Sequence, residues 1–124
     1  MPLTPEGVRN AQFTTTRLRP GYDMADVDAF LDRLGHVLES LTADNIALQE
    51  MVDRVRAGAL WPGRIPPPVR DLTPDDVRHI AFKTTRLRPG YDEQEVDAVL
   101  DDARVVIGVL IQENDKLRAR LSAA

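Results

Sequence analysis

The sequence predicts an all-α fold: two repeats of a short helix, a loop and a long coiled-coil helix, with the long helices pairing as a parallel coiled coil. Three observations carry this expectation. Residues 3–32 (LTPEGVRNAQFTTTRLRPGYDMADVDAFLD) return 69 positions later as residues 72–101 (LTPDDVRHIAFKTTRLRPGYDEQEVDAVLD), with about two-thirds of the positions identical. Each copy runs on into apolar residues at alternating spacings of three and four. Asn45 and Asn114 fall at the same point of that pattern. A self-similar stretch of this length is one structural unit used twice. The expected units are residues 1–57 and 72–124, joined by a Pro-rich linker over 58–71.

Each copy opens on a helix start. Thr4-Pro5 and Thr73-Pro74 supply an N-cap hydroxyl followed by proline at the first helical position. Asp76 stands where a capping box needs its acceptor, and its counterpart Gly7 has no side chain to do so. The short helix is expected to reach about Phe13 or Phe82. Pro20-Gly21 and Pro89-Gly90 then predict a tight turn, with glycine supplying the positive φ of a type II turn. Asp23 and Asp92 cap the long helices, with Asp26 and Glu95 three residues on as capping-box partners.

In the first long helix Leu31, Leu38, Asn45 and Val52 take position a, and Val27, Leu34, Leu41, Leu48 and Val55 take d. In the second, Leu100, Ile107, Asn114 and Leu121 take a, and Val96, Ala103, Leu110 and Leu117 take d. A buried Asn at a costs stability but favours an in-register parallel pair, in which it meets its equivalent amide. Apolar Phe30, Val37, Val99 and Val106 widen the stripe near each helix start, which is where the short helix should pack. The linker carries Pro62, Pro66, Pro67 and Pro68 and tends to polyproline II, with a reach of roughly 45 Å. A helix of about 34 residues spans roughly 50 Å. Folding back to pair within one chain thus needs nearly all of the linker, so a homodimer is favoured over an intrachain pseudo-dimer.

Composition narrows the function. The net charge of −4 gives no global basic field for nucleic acid. The chain has no Cys, which excludes disulfides and thiol chemistry. No apolar run approaches a membrane span, and the N-terminus lacks a signal-peptide pattern, so a cytoplasmic protein is expected. His36 and His79 have no counterpart in the other copy and no metal-ligand spacing. No phosphate-binding glycine loop or nucleophile with a base is present. The expectation is therefore no enzyme, no metal and no cofactor. Trp61 stands alone in the linker.

The block LTPxxVR…F-[T/K]-TTRLRPGYDxxxVDAxLD, followed by heptads, resembles the N-terminal domain of the DivIVA/GpsB family of bacterial cell-division and polar-growth proteins. The resemblance covers nearly the whole chain in two copies. It implies a parallel dimeric domain in which the short helix packs on the start of a coiled coil and the loop lies at the tip. It also implies a scaffold that contacts anionic membrane through an apolar residue flanked by Arg, or grips Arg-containing tails of cell-wall synthases. Carried over residue by residue, the membrane tips are Arg17, Leu18, Arg19 and Arg86, Leu87, Arg88, with Leu where membrane-active members often carry Phe. The peptide sites are Tyr22, Asp28, Asp32 and Tyr91, Asp97, Asp101. Each Asp pair lies one helical turn apart, a spacing that suits a guanidinium fork. The alternative for both is structural, with the Arg and Asp residues pairing among themselves. The chain stops short of the family's long C-terminal coiled coil, which implies an adaptor or modulator that mixes with a longer DivIVA-like scaffold, placed at the inner face of the cell membrane. The rival from another class is a nucleic-acid-binding regulator, since two helices joined by a Gly-containing turn superficially match helix-turn-helix.

Overall fold

The computed structural model describes residues 3–58 and 64–123. Trp61 and Pro62 lie outside the described residues. The elements run α1 (Pro5–Arg9), β1 (Thr15–Thr16), β2 (Gly21–Tyr22), α2 (Met24–Arg56), α3 (Pro74–Arg78), β3 (Thr84–Thr85), β4 (Gly90–Tyr91) and α4 (Glu93–Ala123).

The chain is mostly helical but not all-α. Where loops were expected, four two-residue strands form one antiparallel sheet in the order β1-β4-β2-β3. Every neighbour in that sheet belongs to the other copy: Thr15 and Thr16 pair with Tyr91 and Gly90, Gly21 and Tyr22 with Thr85 and Thr84, and Tyr22 with Tyr91. Two-residue strands leave no periodicity to read, and their partners lie far away in sequence. The role expected of glycine is also different. Neither Gly21 nor Gly90 has positive φ. A Cβ on Gly21 would stand 2.8 Å from the Tyr91 carbonyl oxygen, and one on Gly90 2.9 Å from that of Tyr22. Glycine is needed here because two backbones cross in contact, not because a turn must bend.

The caps form as the residues dictate, with one exception. Thr4 accepts from the Gly7 amide at 2.9 Å, and Thr73 and Asp76 make the full capping box. Asp23 and Asp92 accept from the amides of Asp26 and Glu95. The exception is that Asp26 and Glu95 do not reach back to close a box. Asp26 accepts from the Lys83 amide at 3.2 Å and Glu95 from the Thr14 amide at 3.2 Å, each in the other copy. The short helices stop at Arg9 and Arg78, earlier than expected. Phe13 and Phe82 lie beyond them and pack on Tyr91 and Tyr22 with ring centroids 5.1 and 5.3 Å apart.

The long helices lie side by side in the same direction, with equivalent residues at the same level. Val27, Leu31, Leu34, Leu38 and Leu41 meet Val96, Leu100, Ala103 and Ile107 in one core, joined by Val8 of α1 and Val77 of α3. Leu48 and Val52 meet Leu117 and Leu121 in a second. The asparagines stand between the two cores. Asn45 Nδ2 donates to Asn114 Oδ1 at 2.9 Å, and Asn114 Nδ2 donates to the Leu41 carbonyl at 3.1 Å.

This pairing is made within one chain, where the linker length favoured two. That estimate assumed a climb along the whole of α2. In fact α3 docks partway down α4, with the Pro74 ring 3.4 Å from where a Cβ on Gly108 would stand. At 1.5 Å per residue the climb from the end of α2 to that level is roughly 26 Å, well within reach. Residues 64–71 form a strap along the way. Arg118 donates to the carbonyls of Pro66 (2.9 Å) and Pro67 (3.1 Å) while pairing with Asp44 at 3.0 Å. Arg70 pairs with Asp115 at 2.9 Å, and Arg33 donates to the Asp71 carbonyl at 2.9 Å.

Candidate functional site

The crossed strands hold the two Arg-Leu-Arg loops together at one end of the molecule. Leu18 and Leu87 project fully into solvent, at 104% and 103% exposure. Neither folds back onto the core. The arginines divide by role. Arg19 pairs with Asp92, and Arg88 with Asp23 at 2.6 Å, so each outer arginine binds the helix-capping aspartate of the other copy. Arg17 and Arg86 are exposed and have no carboxylate partner among the described residues. The tip therefore offers two leucines and two free cations on a base braced by two ion pairs.

The six expected peptide-site residues come together differently from their grouping in sequence. Tyr22 donates its hydroxyl to Asp97 at 2.8 Å, and Tyr91 donates to Asp28 at 2.8 Å. Each tyrosine thus belongs with the aspartate pair of the other copy, because β2 and β4 cross before entering their helices. Burial, then the hydrogen bond to Asp97, pushes the Tyr22 phenol up to about 12. Burial and Asp28 raise Tyr91 in the same direction.

The second aspartate of each pair has a different setting in the two copies. Beside Asp32, the Arg9 side chain crosses over Gly35, so close that a Cβ there would stand 2.8 Å from its Nε. Arg9 donates to Glu39 at 2.7 Å and lies 3.0 Å from His36 Nδ1 and 4.0 Å from Asp32. The hydrogen bond to Glu39 raises the Arg9 guanidinium and lowers the Glu39 carboxyl. In the second copy Arg104, Val105 and Gly108 replace Gly35, His36 and Glu39. Arg78, the equivalent of Arg9, has no carboxylate partner among the described residues. Among the described residues the one cation near Asp101 is Arg104, at 3.7 Å. The result is a recess of about 480 Å³ lined by Tyr22, Asp97, Asp101, Arg78, Arg104 and Leu100 among others. Sequence reasoning missed Arg9 and Arg118. Arg9 has its twin in Arg78, but Glu39, which holds it, occurs in one copy only. Arg118 stands where the first copy has Gln49, so the repeat gave no second instance to notice.

Among the described residues no three His, Asp or Glu side chains are gathered as a metal site, and no helix is long and apolar enough to cross a membrane.

The DivIVA protein family profile matches residues 3–59 and again 72–124. The cell wall synthesis protein Wag31 of Mycobacterium tuberculosis (strain H37Rv) is 44% identical over 52 residues, covering 41% of this chain and 20% of that protein. Wag31 of Mycobacterium leprae is 45% identical over 51 residues (40% and 19%), and that of Mycolicibacterium smegmatis 44% over 52 (41% and 19%). The chain spans about a fifth of the length of these curated relatives. No solved structure matches it significantly. Because the profile covers nearly all of the sequence in two passes, the chain belongs to the DivIVA protein family.

Proposed function

We propose that this protein is a non-enzymatic scaffold or adaptor in bacterial division or polar growth, at the inner face of the cell membrane. Residues 1–57 and 72–124 act as paired modules of one parallel coiled coil, a reading supported by the asparagine layer. The observation that carries membrane contact is the presence of two fully exposed leucines, each beside an unpaired arginine, at one end of one molecule. Each Leu entering the acyl boundary gains on the order of 1.5–3 kcal/mol. Each Arg near an anionic surface adds about 1 kcal/mol. One such loop binds marginally, whereas two on a rigid base gain by avidity. The wild-type chain should sediment with vesicles rich in phosphatidylglycerol, in a salt-sensitive way, and not with phosphatidylcholine vesicles or duplex DNA. The Leu18→Asp, Leu87→Asp double variant should lose that binding while keeping its helical circular dichroism. Unchanged binding would reject the tip, and preferential retention on DNA would favour the nucleic-acid regulator instead.

A second reading has its own observation. The recess at Tyr22, Asp97 and Asp101 is open, with its aspartate loosely held by Arg104, so it suits an arginine of a partner tail such as a cell-wall synthase or a longer DivIVA-like scaffold. At the equivalent place, Tyr91, Asp28 and Asp32, the Arg9 guanidinium already stands 4.0 Å from Asp32 while it binds Glu39. An Arg-containing peptide should bind the wild-type chain once and lose affinity about tenfold in Asp97→Asn, while Asp28→Asn leaves it unchanged. Equal losses in the two variants would refute this reading.

A further inference from the structure

We propose that the outer face of α4 is the docking surface for a second copy of this chain, packed antiparallel about a two-fold axis near Val109. Val105 and Val109 lie one turn apart and are 62% and 47% exposed. The side of α4 that faces α2 is marked by buried Leu100, Ala103, Ile107 and Asn114, and the valines point away from it. One flank is taken by Pro74 against Gly108 and by Arg70 on Asp115. What remains uncovered is a stripe of Ala98, Asp102, Val105, Val109, Gln112 and Lys116, all exposed. The same positions of α2 hold His36 and Ser40 in place of the valines. The apolar pair is therefore no requirement of the fold the two copies share.

The charges around the valines choose the occupant. Asp102 stands seven residues before Val109 and Lys116 seven after, on the same stripe. Two such helices laid antiparallel with Val109 on the axis bring Asp102 of each chain opposite Lys116 of the other. Laid parallel, they would oppose like charges. The asymmetry extends along the helix. Its first half carries five carboxylates against Arg104, and its second half exposes Lys116 and Arg120 against Glu113, with Arg118 and Asp115 already taken by Asp44 and Arg70. A surface whose charge reverses sign about its own apolar centre is complementary to itself, which is the requirement of an isologous contact. The stripe is narrow, so the association is concentration-dependent.

The absence of Cys in the chain gives a clean test. Under mild oxidation Val109→Cys places two thiols at the axis and should form a disulfide-linked dimer of twice 13.8 kDa. Ile46→Cys, 58% exposed on α2, should crosslink at least tenfold more slowly. Light scattering on the wild-type chain should show a dimer that dissociates on dilution. Val105→Asp, Val109→Asp should hold it at 13.8 kDa. Asp102→Lys or Lys116→Asp alone should raise the dissociation midpoint at least tenfold, and the two together should restore it. A wild-type chain monomeric at every concentration, its valine face left for a foreign helix, overturns the proposal. So does Val109→Cys crosslinking no faster than Ile46→Cys, or a dimer that survives the double aspartate variant, as a strand-swapped pair would.

Discussion

At the scale of single residues, the informative groups are those that reach from one copy into the other. Tyr22 and Tyr91 are the two tyrosines of the chain, so a tyrosinate absorbance titration reads only these sites. The fold holds the Tyr22 phenol at about 12 against an ordinary 10.0, which means it favours the neutral form. The stability this contributes is present below pH 10 and is lost as pH rises from 10 towards 12. Both tyrosines should therefore ionise above their ordinary value, with the later step at Tyr22, and unfolding midpoints should fall across that interval. Asp97→Asn removes the hydrogen-bonding carboxylate and should bring Tyr22 part of the way down. Burial is the larger cause and keeps the remainder. If Tyr22 titrates at its ordinary value in the wild-type chain, the contact with Asp97 is not formed in solution. These residues were legible as a set in the sequence through the family resemblance, which the one-turn spacing of each aspartate pair suits. Their partners were not, since the crossing of β2 and β4 exchanges Tyr22 and Tyr91 between the aspartate pairs.

At the scale of elements, two glycines with opposite settings test the packing. Gly21 lies where β2 crosses the other copy, and its missing Cβ would meet the Tyr91 backbone at 2.8 Å. Backbone does not move aside cheaply, so Gly21→Ala should destabilise by about 1–3 kcal/mol, the range of an overpacked site. Gly108 lies inside α4, and a Cβ there would meet only the Pro74 ring at 3.4 Å, an ordinary contact. Gly108→Ala should stabilise by roughly 0.5–1 kcal/mol through lower backbone entropy in the unfolded chain. Urea unfolding of the two variants beside the wild type checks both signs; a neutral Gly21→Ala would mean that the crossed strands are not close-packed. The helices themselves were readable in order, since proline position, cap residues and apolar spacing act within a few residues of one another. The strands were not, because Thr-Thr and Gly-Tyr carry no pattern until another strand lies beside them.

At the scale of the whole molecule, the question is which chain supplies the partner of each long helix. The strap answers it in this structure. Arg118 ties Pro66 and Pro67 to Asp44, and α3 docks only partway along α4, so a linker of ordinary length closes the pair within one chain. Asn45→Cys with Asn114→Cys should then form a disulfide inside a single chain, migrating at 13.8 kDa at every protein concentration. A ladder that grows with concentration would mean that the helices pair between chains. The intrachain seam and the valine face of α4 are on different sides of the helix, so the two crosslinking tests are independent.

The sequence by itself determined the duplicated unit, the capped helices, the apolar seam and the matched asparagines, because each rests on short-range spacing that a linear chain already contains. Only the tertiary structure decided that the strands cross, that Arg19 and Arg88 bind capping aspartates while Arg17 and Arg86 have no carboxylate partner among the described residues, that Arg9 lies beside Asp32 and binds Glu39 while Arg78 has no such partner there, and that the seam closes within the chain. Each of these depends on which distant groups meet once the two copies are laid against each other, and the strengths of ion pairs and close backbone contacts fall off within a few ångströms.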